Sequence, residues 1–180
     1  MLVDSHSHLF LEEFSDDLPQ VMQRAHDAGV THIFMPNIDS TTIGPLLSVC
    51  NTYKGFCFPM IGLHPTSVNE SYEKELDIVA HQLAPFNEYV AIGEIGLDLY
   101  WDKTFLKEQL IVFEKQIEWA LEYHLPIVVH CREAFEYIYK VLEPYKKSGL
   151  KGIFHSFTGT SEEAEKLLEF PDFMLGINGV

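Results

Sequence analysis

The fold of this chain is indicated most clearly by a short apolar segment followed by a long amphipathic one. Residues 90–123 read VAIGEIGLDLYWDKTFLKEQLIVFEKQIEWALEY. Residues 90–94 have the apolar and β-branched character of a buried parallel strand, so they predict a strand. Residues 105–123 predict a helix, because their large apolar residues recur every three or four positions. Those on the apolar face are Leu110, Phe113, Ile117 and Leu121.

The same alternation of apolar run and helical segment repeats along the chain. The other predicted strands are residues 2–5, 31–35, 55–62, 127–130, 152–155 and 173–177. The other predicted helices are residues 16–28, 40–51, 72–83, 133–147 and 160–168. The last of them opens with the capping box Thr160-x-x-Glu163. Strands that alternate with helices are parallel, because each helix returns the chain to the same end of the sheet.

We predict a TIM-type (β/α)8 barrel of the α/β class, formed by one hydrolase domain over residues 1–180. The alternative, an open doubly wound sheet, usually carries a glycine-rich phosphate loop after its first strand. Here the first strand runs instead into Asp4-Ser5-His6-Ser7-His8. A barrel of this type has eight strands and about 250 residues, whereas the pattern predicts a seventh strand as the last. We therefore expect the domain to be incomplete at its C-terminus.

Length, charge and cysteine content exclude several classes of protein. The net charge of −15 over 180 residues argues against a protein that holds nucleic acid on a broad basic surface. It allows an enzyme that meets phosphates through metal cations, because the ions supply positive charge locally. No apolar run approaches the ~18 residues of a membrane span, and residues 1–10 lack the pattern of a signal peptide. Three cysteines without a C-x-x-C motif favour a cytoplasmic protein with no disulfide-linked or membrane partner.

Five side chains of metal-binding type lie at the predicted ends of strands: His6, His8, Glu94, His130 and His155. All strands of a (β/α)8 barrel open on one face, where catalytic groups collect, so we expect these side chains to converge. Imidazole and carboxylate suit zinc, manganese and similar divalent ions. Five ligands exceed the three that one catalytic zinc usually takes, whereas a carboxylate can bridge two ions. We predict two divalent ions (Zn, Mn or Mg) bridged by Glu94, and metal-assisted hydrolysis.

The same residues lie in motifs that follow one another from end to end of the chain. They are the H-x-H start, Gly62-Leu63-His64-Pro65, Gly93-Glu94-Ile95-Gly96-Leu97-Asp98, Val129-His130-Cys131-Arg132 and His155-Ser156-Phe157-Thr158-Gly159. This set resembles the TatD family of metal-dependent deoxyribonucleases, which belongs to the amidohydrolase-like metal barrels. The resemblance implies a divalent-metal requirement and hydrolysis of the phosphodiester bonds of DNA. It also implies individual roles: the first metal on His6 and His8, the bridge on Glu94, the second metal on His130 and His155, and the scissile phosphate facing His64 and Arg132.

The family pattern ends with an aspartate on an eighth strand, for which this sequence shows no counterpart. The resemblance implies that this aspartate binds the first metal. We therefore expect weak metal binding at His6 and His8, and less nuclease activity than in a version extended by that strand. The strand edges left uncovered carry Leu2, Val3, Phe173, Leu175 and Ile177. Unpaired edges invite pairing with another chain, so we expect self-association through them.

Several residues beside the predicted ligands leave two interpretations open. His64 could donate a hydrogen bond to phosphate or be an ordinary loop histidine. Arg132 could bind phosphate bidentately or pair with a neighbouring glutamate. Asp98 could hold a metal-binding histidine or cap the loop that follows it. Tyr100 and Trp101 could stack on nucleobases or close the rim of the barrel.

Three functions compete. A metal-dependent deoxyribonuclease is the first, with DNA as its substrate. A small-molecule amidohydrolase or lactonase would direct the same chemistry at a carbonyl, and the acidic composition favours it mildly. Many amidohydrolases bridge their metals with a carboxylated lysine on strand four, but no lysine lies between Tyr89 and Trp101, so the motif set favours the nuclease. The third is an inactive metal-binding fragment, for which the absence of an eighth strand is the argument.

Overall fold

The computed structural model describes residues 1–83 and 88–178. Within these residues seven strands alternate with six α-helices, as the sequence predicts. The strands are β1 (Leu2–Asp4), β2 (Val30–Pro36), β3 (Cys57–Met60), β4 (Ile92–Asp98), β5 (Ile127–Arg132), β6 (Gly152–Phe154) and β7 (Phe173–Leu175). The helices are α1 (Leu18–Asp27), α2 (Ile43–Thr52), α3 (Tyr72–Gln82), α4 (Leu106–Glu122), α5 (Phe135–Leu142) and α6 (Ser161–Leu167).

The strands pair in sequence order, and every pair is parallel. β1–β3 form one ladder and β4–β7 another, and a parallel bridge between Ile61 and Ile92 joins them. The array is strongly curved. In a flat sheet β1 and β6 would be about 24 Å apart, yet the rings of His6, just after β1, and His155, just after β6, have centroids 3.3 Å apart. The predicted α/β class and TIM-type barrel are confirmed.

The main core lies between the strands and the helices that cover them. Phe113 and Ile117 of α4 are fully buried there, as the spacing of the helix predicts. Full burial of such a side chain stabilises the fold by about 1.5–3 kcal/mol. The predicted helix 133–147 is divided, because α5 ends at Leu142 and a 3-10 turn, Glu143–Tyr145, follows it. Pro144 has no amide hydrogen with which to continue the α-helical pattern.

β4 extends further than its sequence predicts, since it continues to Asp98 and does not end at Glu94. Its pairing with β5 is irregular between Ile92 and Ile95 and is regular beyond that point. Gly96 makes the continuation feasible: its φ is 136°, and a Cβ there would lie 2.1 Å from the carbonyl oxygen of His130. Glu94 therefore lies within the strand, and Asp98 takes the strand end.

β1 and β7 are the outer strands, and within residues 1–83 and 88–178 each pairs with a single neighbour. Leu2, Val3 and Ile177 are exposed along these edges, as predicted. The prediction that Phe173 is uncovered is wrong, because the ring of Phe170 packs against it with centroids 5.4 Å apart. Among the described residues the outer edges of both strands nevertheless have unpaired backbone groups.

The cysteines Cys50, Cys57 and Cys131 are all free thiols. Burial raises the pKa of Cys50 and of Cys57 to about 12, and a smaller contribution at Cys50 comes from Cys57. Both thiols are therefore protonated at neutral pH. Among the helices in the described part of the chain, none is both long enough and apolar enough to cross a bilayer.

Candidate metal centre

The side chain of Glu94 is surrounded by histidines and is only 2% exposed. Its Oε2 lies 2.9 Å from Nε2 of His6 and 3.4 Å from Nε2 of His8. Its Oε1 lies 3.0 Å from Nδ1 of His130 and 3.6 Å from Nε2 of His64. Each carboxylate oxygen thus faces two imidazole nitrogens, and residues far apart in sequence meet at one carboxylate.

The first pair of histidines, His6 and His8, has a donor arrangement that suits a cation. Their Nε2 atoms lie 3.2 Å apart and both face the same oxygen of Glu94. A neutral imidazole carries one proton, so hydrogen bonds cannot satisfy all of these close contacts at once. A divalent ion accepts lone pairs from nitrogen and oxygen alike, so it fits this set. Within the described residues the Nδ1 atoms of both rings are buried without a partner.

Asp4 fixes the turn that carries these two histidines. Its Oδ1 accepts a hydrogen bond from the backbone nitrogen of His6 at 3.0 Å, and its Oδ2 accepts one from the hydroxyl of Ser7. The carboxylate therefore orients the backbone of a candidate ligand. This turn follows directly on β1, so the short strand and its terminal aspartate together place both imidazoles.

His130 is held from both sides. Its Nδ1 lies 3.0 Å from Glu94, and its Nε2 donates to Oδ2 of Asp98 at 2.8 Å. The other oxygen of Asp98 accepts from the backbone nitrogens of Tyr100 and Trp101, at 3.0 Å and 3.3 Å. Asp98 thus performs both roles that the sequence left open, since it orients the histidine and caps the following loop.

His64 presents a ring nitrogen to the centre. The backbone N–H of Thr66 donates to its Nδ1 at 3.2 Å. In the tautomer that accepts this hydrogen bond the neutral ring carries its proton on Nε2. In the other tautomer Nδ1 would donate to the hydroxyl oxygen of Thr66, 2.7 Å away. Nε2 is the atom that faces Glu94. A protonated ring nitrogen donates a hydrogen bond and does not bind a metal, so the first tautomer suits the phosphate-facing interpretation of His64, whereas the second leaves Nε2 able to bind a metal.

Two buried glutamines of α4 hold the backbone beside these side chains, and sequence reasoning missed them. Gln116 accepts from the nitrogen of Leu63 at 2.7 Å and donates to its carbonyl at 3.2 Å. Gln109 does the same at Asp98, at 3.0 Å and 3.2 Å. The signal that could have revealed them is their spacing, because residues seven apart share a helix face. Both glutamines lie on the apolar face of the helix, where a polar side chain indicates a buried hydrogen-bonding role.

His155 lies elsewhere than the sequence suggests. It was expected beside His130, but its ring stacks on that of His6 with an interplanar angle of 13°. The chain turns immediately after it, since Ser156 has a φ of 49°. Two groups have ligand atoms within 4.8 Å of one another, namely His6–Glu94–His155 and His64–Glu94–His130. Glu94 belongs to both groups, which fits a bridging carboxylate, while the allocation of His155 to the second ion stays a prediction.

Glu94 and His155 have protonation states that suit cation binding. Burial opposes ionisation of Glu94, but hydrogen bonds from His130, His6, His64 and His8 outweigh it and hold its pKa well below the usual value. Burial, which has the larger effect, and the neighbouring His6 together lower the pKa of His155 to about 4. For His130 burial is outweighed by Glu94 and Asp98, so its pKa is raised. At neutral pH Glu94 is therefore an anion and His155 a neutral ligand.

Arg132, at the end of β5, has an exposed guanidinium stacked on aromatic rings. Its Cζ lies 3.9 Å from the ring centroid of Tyr100 and 5.3 Å from that of Trp101. No carboxylate of residues 1–83 or 88–178 lies within 4.0 Å of it. The interpretation of Arg132 as half of an ion pair with a glutamate is therefore wrong. Contact with phosphate stays a prediction.

Comparison with known proteins gives a consistent result. A family model described as "TatD related DNase" matches residues 3–180. The chain is 35% identical over 179 residues to an uncharacterized metal-dependent hydrolase, YabD, of Bacillus subtilis (strain 168), covering 99% of this chain and 69% of that protein. It is 33% identical over 167 residues to the 3'-5' ssDNA/RNA exonuclease TatD of Pantoea vagans (strain C9-1), covering 93% and 64%.

A solved structure is similar as well. The crystal structure of YjjV, a TatD homologue from Escherichia coli K12, superposes with a TM-score of 0.88 at 27% identity, covering 97% of this chain and 66% of that one. A TatD-family hydrolase from Entamoeba histolytica shares the fold with a TM-score of 0.79 at 24% identity. The present chain spans about two thirds of the length of these relatives.

Proposed function

The chain belongs to the family of TatD-related DNases, and from that premise we propose that it is a divalent-metal-dependent hydrolase that cleaves phosphodiester bonds of DNA. The observation that carries the proposal is the approach of four imidazoles to both oxygens of one buried carboxylate, Glu94. A carboxylate shared in this way suits two cations, and paired divalent ions are typical of phosphodiester hydrolysis.

His6, His8, Glu94, His130 and His155 would hold the ions, whether Zn, Mn or Mg. When bound, such ions supply a water nucleophile at neutral pH and neutralise charge on the phosphate. The chain orients these donors: Asp4 fixes the turn of His6, and Asp98 holds the ring of His130 through Nε2. Glu94 would be the ligand that the two ions share, and its histidine contacts keep it ionised.

Two further side chains would act on the substrate. His64 donates its Nε2–H to a phosphate oxygen in the tautomer whose Nδ1 accepts from the N–H of Thr66. Arg132 binds phosphate through its guanidinium edge, which is open to solvent and has no carboxylate partner in the described residues. A guanidinium edge matches two phosphate oxygens at once. These roles complete the proposed catalytic set of Glu94, His64 and Arg132.

The proposed substrate is an unpaired DNA end. With a net charge of −15, the chain offers no extended positive surface for a long duplex. A short single strand needs only local contacts at the metal centre. The Pantoea relative is named as an exonuclease of single-stranded DNA and RNA, and this supports the same choice here. We propose the cytoplasm as the compartment, because three free thiols suit a reducing environment.

Hydrolysis assays test the proposal. The purified chain, loaded with Mg, Mn or Zn, is offered a short single strand, a closed circular duplex, bis(p-nitrophenyl) phosphate, a lactone and an amide. We expect metal-dependent cleavage of the single strand, loss of cleavage in Glu94→Gln, and retention in the exposed control Glu122→Gln. Equal cleavage of circular duplex and single strand would contradict the choice of substrate. Turnover of the lactone or amide without cleavage of any of the three phosphodiesters would favour the amidohydrolase alternative.

A further inference from the structure

A charged and aromatic surface adjoins the metal centre and has no role in holding metal. Trp101 is 71% exposed and Tyr100 is 49% exposed. Their rings meet edge to face, with centroids 4.8 Å apart. Two adjacent exposed rings form an apolar surface on which a flat ligand can stack, and this pair lies directly beside Arg132.

The guanidinium of Arg132 is available for an anion. Only two arginines occur in the sequence, and the other, Arg24, forms an ion pair with Asp17 at 3.2 Å. Arg132 instead lies over the face of Tyr100 at 3.9 Å. Stacking of this kind restrains the plane of the guanidinium while its N–H edges stay free. Tyr100 therefore pre-orients the donors, and a phosphate can use them.

The loop that carries the two rings is tied to the metal centre. Asp98 accepts hydrogen bonds from the backbone nitrogens of Tyr100 and Trp101 with one oxygen and holds His130 with the other. The nitrogen of Leu99 also donates to the carbonyl of Arg132 at 2.9 Å. The aromatic pair and the arginine thus have a fixed position relative to a candidate metal ligand.

One cavity is lined by part of this surface and by His155, while Trp101 lines a second one. The first cavity has a volume of about 660 Å³, and Tyr100, Arg132 and His155 all line it. That volume suits a small organic ligand. Glutamates line it as well, among them Glu133 and Glu136. A phosphate in the cavity therefore depends on Arg132 and on the metal cations for positive charge.

The geometry points to Tyr100, Trp101 and Arg132 as a nucleotide subsite that binds the unpaired nucleotide next to the scissile bond. Arg132, supported by Tyr100, holds a phosphate of that nucleotide, and the exposed face of Trp101 stacks on its base. The inference rests on the proposed nuclease function. Such a subsite would explain a preference for unpaired DNA ends, because a base inside a duplex has both faces covered and cannot stack on Trp101.

Binding of a labelled hexathymidylate tests the stacking role of Trp101. The hexamer carries phosphorothioate linkages that resist hydrolysis, and a matched hexamer lacks one terminal base. Affinity is measured by fluorescence anisotropy with Mg²⁺. We expect Trp101→Ala to bind the complete hexamer about 5- to 150-fold more weakly, with little change on the abasic hexamer and recovery in Trp101→Phe. Equal affinity for wild type and Trp101→Ala, equal loss on both hexamers, or no binding by wild type would overturn the inference.

Tyr123→Ala is the matched aromatic control. Tyr123 is exposed and follows α4, a helix of 17 residues whose length of about 25 Å separates it from the loop of Trp101. We expect wild-type affinity in this variant. Circular dichroism establishes that each variant is folded, and the exposure of both side chains makes unfolding a poor explanation of any loss.

The salt dependence of binding tests Arg132. Each phosphate neutralised on a single strand contributes about −0.7 to the slope of log K against log salt. We expect Arg132→Gln to make the slope shallower by about 0.7, whereas Arg24→Gln leaves it unchanged. An unaltered slope in Arg132→Gln would show that Arg132 does not contact a phosphate of the bound strand.

A substrate without a base separates this inference from the proposed function. Bis(p-nitrophenyl) phosphate needs the metal centre and carries no nucleobase, so its hydrolysis reports on the metal centre. Hydrolysis of it together with Trp101-independent binding of DNA would refute the subsite alone. Trp101-dependent binding without hydrolysis of any phosphodiester would refute the nuclease function and leave the subsite standing.

Discussion

The imidazole of His130 donates from Nε2 to the carboxylate of Asp98 at 2.8 Å. This hydrogen bond orients the ring so that Nδ1 faces Glu94, 3.0 Å away. The same carboxylate caps the loop of Tyr100 and Trp101. One buried side chain therefore couples the orientation of a metal ligand to the position of the proposed nucleotide subsite.

Replacing Asp98 should weaken metal binding. The amide introduced by Asp98→Asn lacks the negative charge with which Asp98 holds His130 and the following loop. Because His130 would then be less well oriented, we expect metal affinity to fall about 10- to 100-fold in this variant. Titration calorimetry with Zn²⁺ on wild type and variant measures this change. Asp102→Asn is the control, because Asp102 is exposed and its carboxylate accepts from the backbone of Thr104. Unchanged affinity in Asp98→Asn would show that the hydrogen bond does not orient His130.

Glu94→Gln should change the number of ions bound. An amide has a single oxygen and no charge, so it cannot bridge two cations. We expect the stoichiometry to fall from two ions to one or none, measured by calorimetry and by metal analysis after gel filtration. Glu122→Gln, on the exposed end of α4, should retain both. Two ions bound by Glu94→Gln would exclude the bridging role.

Gln116→Leu should destabilise the fold, because it leaves the N–H and the carbonyl of Leu63 without partners. A buried unsatisfied polar group costs about 1–3 kcal/mol, so we expect the free energy of unfolding to fall by about 2 kcal/mol or more. Urea denaturation followed by circular dichroism gives the value. The control Gln23→Leu alters an exposed position and should change stability by no more than about 0.5 kcal/mol. A similar small effect in both variants would show that Gln116 does not stabilise the backbone of Leu63.

Stability should decline at alkaline pH through Cys50 and Cys57. Burial raises the pKa of each thiol from 9.0 to about 12 in the folded protein. Between these values the unfolded chain loses protons that the folded chain retains, so stability falls as pH rises. The contribution is fully present below pH 9 and is lost as pH approaches 12. Urea denaturation from pH 8 to 11 should show this decline, and the Cys50→Ala, Cys57→Ala double variant should show a shallower one.

Self-association should proceed through the outer strands. β1 exposes Val3, and β7 exposes Met174 beside its unpaired backbone. A lysine on an exposed edge strand discourages pairing with another chain. We expect sedimentation velocity to show dimers or larger species for wild type and a shift toward monomer in Val3→Lys and Met174→Lys. Ile111→Lys, on the exposed side of α4, is the control and should behave as wild type. Monomeric wild type at high concentration would refute the association.

The sequence predicted the course of the chain because strand and helix each have a period that local residues display. Two features show such a local period: the buried face of α4, with Phe113 and Ile117, and the apolar runs that form the strands. Element ends were less accurate where neighbours decide them. β4 continues past Glu94 because Gly96 lets it approach the backbone of His130, and no pattern within β4 itself indicates that contact.

By itself the sequence determined the parallel βα order and the gathering of His6, Glu94 and His130, because the ends of parallel strands lie on one side of a barrel. Only the tertiary structure decided which groups touch. In the folded chain the ring of His155 stacks on that of His6, Nε2 of His130 is hydrogen-bonded to Asp98, and the guanidinium of Arg132 lies over the ring of Tyr100. Such contacts depend on the curvature of the sheet and on side-chain directions across strands. Local periodicity fixes on which face a residue lies, but the distance between two distant residues is set only when the whole chain has packed.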